Sequence, residues 1–397
     1  MRQIRAGMDG VWRRVKRAIR QRMAPKRAAL ALSLLGSLLS ACGGRSATLA
    51  TTGQPPSATP STSASAAAAT RPPARPGARG AGINVEPSYR PWRYVGGPAP
   101  ESWWCVAPNC SPDAPPRTRI DVDLNLAREL GVNHVRVEFP WRFIEPQRGV
   151  YDWSRADLIV SEADAYHVPL APVVVYSPPW VGAPTAAPSP DDFRAFMEAL
   201  VGRYHSSIHY WELWNEPDLD KYWSAGERAY VESILVPGYQ GVKSADPSAQ
   251  VVLGGPSWAS GDWYSRIYQY GGGDNFDIAS WHVYGSASMT LASASTVQQM
   301  LAAHGQANKP LWLGEFGATG SAQASLLTAV LTSDSPIAQA DWYNLRDEAA
   351  MSCCPPTVAV QGNWGLVRRD GVSLKPAFTT LRNLISAGLP IVNRAQG

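Results

Sequence analysis

Two short stretches of this chain place acids where packing has no need of them. The first is Tyr210-Trp211-Glu212-Leu213-Trp214-Asn215-Glu216-Pro217-Asp218, an apolar run that closes on an amide, an acid and a proline. The second is Leu311-Trp312-Leu313-Gly314-Glu315-Phe316-Gly317, where an acid ends an apolar run between two glycines. A pair of carboxyl groups can cleave a glycosidic acetal: one donates a proton to the leaving oxygen, and the other attacks the anomeric carbon or activates water. A third charge, Arg136, stands inside Val135-Arg136-Val137-Glu138-Phe139. A cation in an apolar strand requires a partner, and Glu138 or another acid of the same core would serve. His282 and Tyr284 close a fourth run, Trp281-His282-Val283-Tyr284-Gly285. In the first stretch Glu212, Trp214 and Glu216 share a parity, so a straight strand would turn Asn215 the other way. Pro217 is expected to force a bend that brings Asn215 and Glu216 to one side.

These stretches fall into a repeating pattern of short apolar run, loop and amphipathic segment that starts at residue 81. The runs are Gly82–Val85, His134–Phe139, Leu170–Tyr176, Ile208–Trp214, Gln250–Gly254, Asp277–Val283, Pro310–Glu315 and Asp341–Leu345. Helices are predicted over Asp121–Leu130, Ser154–Tyr166, Ser189–Tyr204, Gly226–Ser244, Asp262–Tyr270, Ser295–Ala307, Ala322–Leu331 and Pro376–Ala387. Gly131 stops the first of these, Ser154 caps the second, and Pro190 sits in the first turn of the third. Phe193, Phe196, Leu200 and Val201 fall on one face of that third helix. Eight alternating pairs over 81–397 predict an α/β fold, a (β/α)8 TIM barrel, whose chemistry sits where strands end and loops begin. An open doubly wound sheet would place a glycine-rich phosphate turn after the first strand. The sequence there is Val85-Glu86-Pro87-Ser88, and Gly271-Gly272-Gly273 is not followed by Lys-Ser/Thr.

On these motifs the chain resembles clan A of the glycoside hydrolases, closest to families 39 and 5. Trp214-Asn215-Glu216-Pro217 matches the clan's fourth-strand motif, and Leu313-Gly314-Glu315-Phe316-Gly317 matches its seventh-strand motif. The resemblance covers about residues 81–390. It implies a retaining β-glycosidase with Glu216 as acid/base and Glu315 as nucleophile. Arg136 is implied to hydrogen-bond the nucleophile, Asn215 the sugar 2-hydroxyl, and the Tyr284 hydroxyl the nucleophile, with His282 lining the sugar pocket. The families place a tryptophan at the end of strand eight as a floor for the sugar. Here Trp342 is read at the strand start, which leaves Tyr343, Arg346, Asp347 or Trp364 to face the site. A histidine common after strand three in family 5 is replaced by Tyr176. Trp103, Trp104, Trp180, Trp258 and Trp263 follow strands one, three and five and are candidate sugar platforms, while Asp218 and Glu138 read as structural. No cofactor or metal is called for. A non-catalytic carbohydrate-binding lipoprotein would lose one acid, and both are present. A Schiff-base aldolase needs a lysine at a strand end, whereas Lys309 precedes strand seven.

The remaining sequence concerns delivery. Residues 1–80 hold 14 basic residues and one acid, which leaves 22 basic against 31 acidic residues, a net of −9, in 81–397. A net-acidic domain does not track phosphates, so nucleic acid is excluded as a partner. The basic stretch from Arg13 to Arg27, the 12-residue apolar run Ala28–Leu39 and Leu39-Ser40-Ala41-Cys42 resemble a bacterial lipoprotein signal, with Cys42 lipidated and Met23 an alternative start. The run is short for a membrane span of about 20 residues. Residues 43–80 are rich in Ser, Thr, Ala and Pro and read as a disordered tether. The expected arrangement is 1–42 signal, 43–80 linker and 81–397 catalytic domain. It describes a monomer exported and anchored to the cell envelope through the lipid, acting on carbohydrate. Cys105, Cys110, Cys353 and Cys354 allow three disulfide pairings, with Cys105–Cys110 favoured.

Overall fold

The eight apolar runs become eight parallel strands because side chains on each strand split between an outer face that meets helices and an inner face that meets the other strands. The strands are β1 (Gly80–Asn84), β2 (Val135–Pro140), β3 (Leu170–Val175), β4 (Tyr210–Leu213), β5 (Gln250–Leu253), β6 (Ala279–Val283), β7 (Leu311–Phe316) and β8 (Ile337–Trp342). The computed structural model describes residues 78–85, 116–347, 363–368 and 370–392, all within one unit, Ala69–Gly397. The signal, Cys42, the tether up to residue 77, Trp103, Trp104 and the four cysteines 105, 110, 353 and 354 lie outside the described residues. Among the described residues, no helix is long and apolar enough to cross a membrane.

The strands run in the order β5-β4-β3-β2-β1-β8-β7-β6. A parallel bridge between Val252 and Ile278, with Leu253 N–H donating to the Ile278 carbonyl at 3.0 Å, joins β5 to the start of β6 and completes the (β/α)8 barrel. Outward residues such as Val135, Val137, Phe139, Trp211 and Leu213 are buried against the helix layer. The helix Pro190–Tyr204 buries Phe193, Phe196, Leu200 and Val201, and its cap Ser189 accepts the Asp192 N–H. The Ser154–Tyr166 helix departs from expectation at its start. Ser154 is its first helical residue, and Asp152 accepts from both the Ser154 N–H (3.1 Å) and hydroxyl (2.6 Å). The segment expected as one helix from Gly226 is interrupted by a π-helical turn, Val231–Leu235, before Val236–Ala245.

The largest correction concerns β8. It starts four residues before the apolar run Asp341–Leu345, and Trp342 ends it rather than starting it. Inside the barrel, Gln339 and Asp341 point across to β1, where a Cβ on Gly80 would come within 1.7 Å of Gln339 Oε1 and one on Gly82 within 2.1 Å of Asp341 Oδ1. The glycines of β1 are thus the space that this polar pair occupies. Asp341 also meets His134 Nε2 at 2.9 Å, and His134 stacks on Trp312 at 4.9 Å. Trp312, Ala171, Val252 and Ile278 form a small apolar cluster near the strands' N-terminal ends. The charged residues of the site sit further along the same strands.

Candidate active site

Arg136 on β2 is 5% exposed, and all its donors are engaged. Nε donates to Glu212 Oε2 at 2.6 Å and Nη2 to Glu212 Oε1 at 3.0 Å. Nη1 donates to Glu315 Oε1 at 2.7 Å and to Asn84 Oδ1 at 2.8 Å, and Nη2 also reaches Asn215 Oδ1 at 3.0 Å. This arginine thus pairs with a second barrel acid, Glu212 rather than Glu138, and also bonds Glu315. Burial opposes the guanidinium charge, but Glu212 and Glu315 outweigh it and raise the Arg136 pKa well above its ordinary value. Glu138 lies apart and accepts the Tyr176 hydroxyl at 3.2 Å.

Glu315 stands on β7 and is 8% exposed. Burial pushes its carboxyl pKa up, but His282, Arg136 and the Tyr284 hydroxyl at 2.5 Å together hold it below the usual carboxylate range. Glu216 sits past the end of β4. The chain turns earlier than Pro217 predicts: Trp214 has φ 81° and Glu216 φ 41°. Such backbone costs on the order of 1–3 kcal/mol per residue, and surrounding bonds have to hold it. Trp214 N–H donates to the Val174 carbonyl at 2.9 Å, Glu216 N–H to the Gly255 carbonyl at 3.1 Å, and the Trp214 indole to the Tyr222 carbonyl at 3.1 Å. Parity consequently fails at Trp214, which packs edge-on to Trp223 in the core. Asn215 and Glu216 are both brought to the mouth. Because Asn215 Oδ1 accepts from Arg136, its amide NH2 turns away from the guanidinium.

His282 is fully buried between the acids. Its Nδ1 lies 3.1 Å from Glu216 Oε1 and 3.6 Å from Glu315 Oε2, and Nε2 lies 3.4 Å from Arg136 Nη2. The Nη2 protons are spent on Glu212 and Asn215, and the His282 Nδ1–H donates to Glu216 Oε1. Burial resists a charge on this ring, yet Glu315 and the bond to Glu216 prevail and raise its pKa. Gly255 is required beside it, since a Cβ there would come within 2.8 Å of the imidazole. Lys221 Nζ lies 3.7 Å from Glu216 Oε2, the oxygen turned away from His282. Glu216, His282 and Glu315 bring ligand-type atoms within 4.8 Å of one another, a donor set that a metal also uses. A cation there would face the Arg136 guanidinium 2.7 Å from Glu315.

Aromatic rings close one side of this pocket. Tyr284 meets Tyr343 edge-on at 6.0 Å and Trp364 edge-on at 5.0 Å, so two of the four alternatives for the strand-eight position flank the same tyrosine. Burial and Glu315 raise the Tyr284 pKa well above its ordinary value, which keeps it a donor. Trp342 is not a sugar floor: it is buried edge-on to Phe316 and donates its indole N–H to the Trp364 carbonyl. Arg346 pairs with Asp123, and Asp347 with Lys375 at 2.6 Å, so neither serves the mouth. Trp180 packs edge-on to Trp141, donates its indole N–H to the Glu145 carbonyl and carries the Arg148 guanidinium over its ring. Trp263 is core. Trp258 is 44% exposed and is the only exposed aromatic residue among those described. Its loop is tied to the segment that follows Glu216 by Ser257, whose N–H and hydroxyl donate to Asp218.

Glu212 and Asn84 are the site residues that sequence reading left out. Glu212 carried a usable signal, a charge inside an apolar strand at the same parity as Glu216. Asn84 carried little, because it ends β1 as one amide before a loop.

The sequence profile of Cellulase (glycosyl hydrolase family 5) matches residues 115–354. The chain belongs to glycosyl hydrolase family 5. No curated protein sequence matches this family 5 chain. Among solved structures, it resembles a family 39 glycoside hydrolase from Bacteroides cellulosilyticus WH2 (TM-score 0.57, 17% identity, 78% of this chain and 64% of that one). It also resembles a monomeric β-xylosidase from Caulobacter crescentus CB15 (0.59, 17%, 78% and 69%). A GH5_18 protein from Streptomyces cattleya in complex with Manβ1-4GlcNAc is a third match (0.60, 14%, 79% and 83%). At these identities the likeness is one of fold. The family 5 chain spans only about two thirds of the length of the first two.

Proposed function

We propose that this chain is a retaining β-glycoside hydrolase that cleaves O-glycosidic bonds of an extracellular poly- or oligosaccharide, with Glu216 as acid/base and Glu315 as nucleophile. The observation that carries this reading is the spacing and unequal surroundings of the two acids. One oxygen of each acid lies within 4.8 Å of one on the other, an approach that fits a closely held pair. Retaining enzymes hold the pair about 5–5.5 Å apart, whereas inverting ones leave about 6.5–9.5 Å for a water. Glu315, held ionised by Arg136, Tyr284 and His282, is suited to attack the anomeric carbon. His282 Nδ1–H on Glu216 Oε1 leaves the acid proton to Oε2, from which it passes to the leaving oxygen. In the second step Glu216 takes a proton from water, which attacks the anomeric carbon and releases Glu315. Chain residues carry both steps, and no cofactor enters.

The exposed indole of Trp258, in the loop tethered beside Glu216, offers a face to a sugar on the leaving side, which favours a saccharide leaving group. The signal and tether read from the sequence would place a monomeric enzyme at the cell envelope, anchored through Cys42. The Glu315→Gln variant tests the reading. Arg136 keeps Glu212 as counter-charge, so the variant folds, and turnover of an activated aryl β-glycoside falls more than about 1,000-fold, as loss of a nucleophile does. Retained turnover in a folded variant would refute the assignment.

A further inference from the structure

Glu212 is a buried acid that neither chemical step uses. It lies on β4 four residues before Glu216 and is 4% exposed. Its carboxylate takes Arg136 side-on through two bonds, and Oε1 also accepts the Gly255 N–H at 3.2 Å. The carbonyl of the same Gly255 accepts the Glu216 N–H. One carboxylate therefore reaches Glu315 through the guanidinium and Glu216 through a single residue.

We propose that Glu212 is a positioning residue that divides the positive charge of Arg136, so that Glu315 is held anionic without being neutralised, while it fixes both reacting carboxylates in one frame. The proposal rests on Glu315 being the nucleophile and Glu216 the acid/base. Arg136 brings one positive charge, and two carboxylates approach it at 2.6 and 2.7 Å. The three groups sum to −1, which leaves negative charge at the mouth for attack. Without Glu212 the remaining pair is neutral. The full positive charge of Arg136 then acts on Glu315 alone, and a more strongly held carboxylate is a weaker nucleophile. The groups facing Glu315 are Arg136 from β2, His282 and Tyr284 from β6 and its continuation, and Glu216 beyond β4. Asp341 of β8 acts on Arg136 across the barrel, and Lys221 faces Glu216.

The test compares Glu212→Gln and Glu212→Asp in the full chain on an activated aryl β-glycoside. Glu212→Gln keeps the shape and removes the charge. The acid limb of its kcat/KM profile, which reports Glu315, moves to lower pH. Its kcat falls about 10- to 100-fold, the scale expected for a misplacement approaching 1 Å, and KM changes less than about two-fold. Glu212→Asp keeps the charge and leaves the acid limb where the parent has it. A brace for the fold would lower the melting temperature without moving that limb. An unmoved limb in Glu212→Gln, an equal shift in Glu212→Asp, or failure of both variants to fold overturns the proposal. If Glu315→Gln keeps its turnover, the underlying catalytic reading fails instead, so the two failures are distinguishable.

Discussion

Replacing Arg136 with methionine removes five hydrogen bonds to four side chains while keeping an unbranched apolar stem. It leaves Glu212 and Glu315 buried without their shared cation. Breaking one buried ion pair by removing a partner costs about 3–5 kcal/mol. The two acids share a single arginine, so the expected loss at neutral pH is about that size, against a total stability of about 5–15 kcal/mol. The pH dependence follows from the signs. In the parent protein Glu315 is held below its unfolded value, so its contribution to stability is present above that value and is lost as pH falls through the folded one. In the variant one of the charges opposing burial is gone while His282 and Tyr284 remain, so the folded carboxyl titrates higher than in the parent. The variant then loses less stability than the parent as pH falls. Urea unfolding at neutral pH and near pH 5 measures both: the gap between parent and variant is wide at neutral pH and narrower in acid. A loss below about 1 kcal/mol, or a gap that widens in acid, would refute the role given to this arginine.

Two further outcomes follow from the same geometry. Tyr284→Phe removes a hydroxyl bonded to Glu315 at 2.5 Å. A charge-assisted bond of this kind is worth about 1.5–3 kcal/mol, so kcat/KM falls about 10- to 100-fold and the acid limb moves to higher pH, read from steady-state profiles. Trp258→Ala removes roughly 50 Å² of sugar contact at about 25 cal/mol per Å². It therefore lowers kcat/KM about ten-fold on an oligosaccharide and leaves an aryl glycoside with a small leaving group unaffected.

Most of the barrel was legible because outward strand faces are apolar runs and helices follow them at regular intervals. β8 was misplaced because Gln339 on its inner face interrupts the apolar pattern before Asp341; only the opposing glycines of β1 explain how these two polar residues fit. Glu216, Glu315 and Arg136 were legible as charges that packing could not account for. The turn at Trp214 was not, because its positive φ depends on bonds from β3 and the β5 loop, which lie about 40 residues away in either direction. Trp342 and Trp180 illustrate the same limit: a tryptophan near a strand end reads alike whether its ring faces sugar or core, and here their neighbours Phe316 and Trp141 decide.

The central claim is double displacement between Glu216 and Glu315, and azide rescue of Glu216→Ala tests it most directly. With the acid/base removed, an activated aryl β-glycoside still glycosylates Glu315, and azide, which needs no general base, attacks the covalent intermediate from the vacated side. The account predicts restored turnover and a glycosyl azide of β configuration by NMR. An α-glycosyl azide, or no rescue in a folded variant that binds substrate, would contradict it.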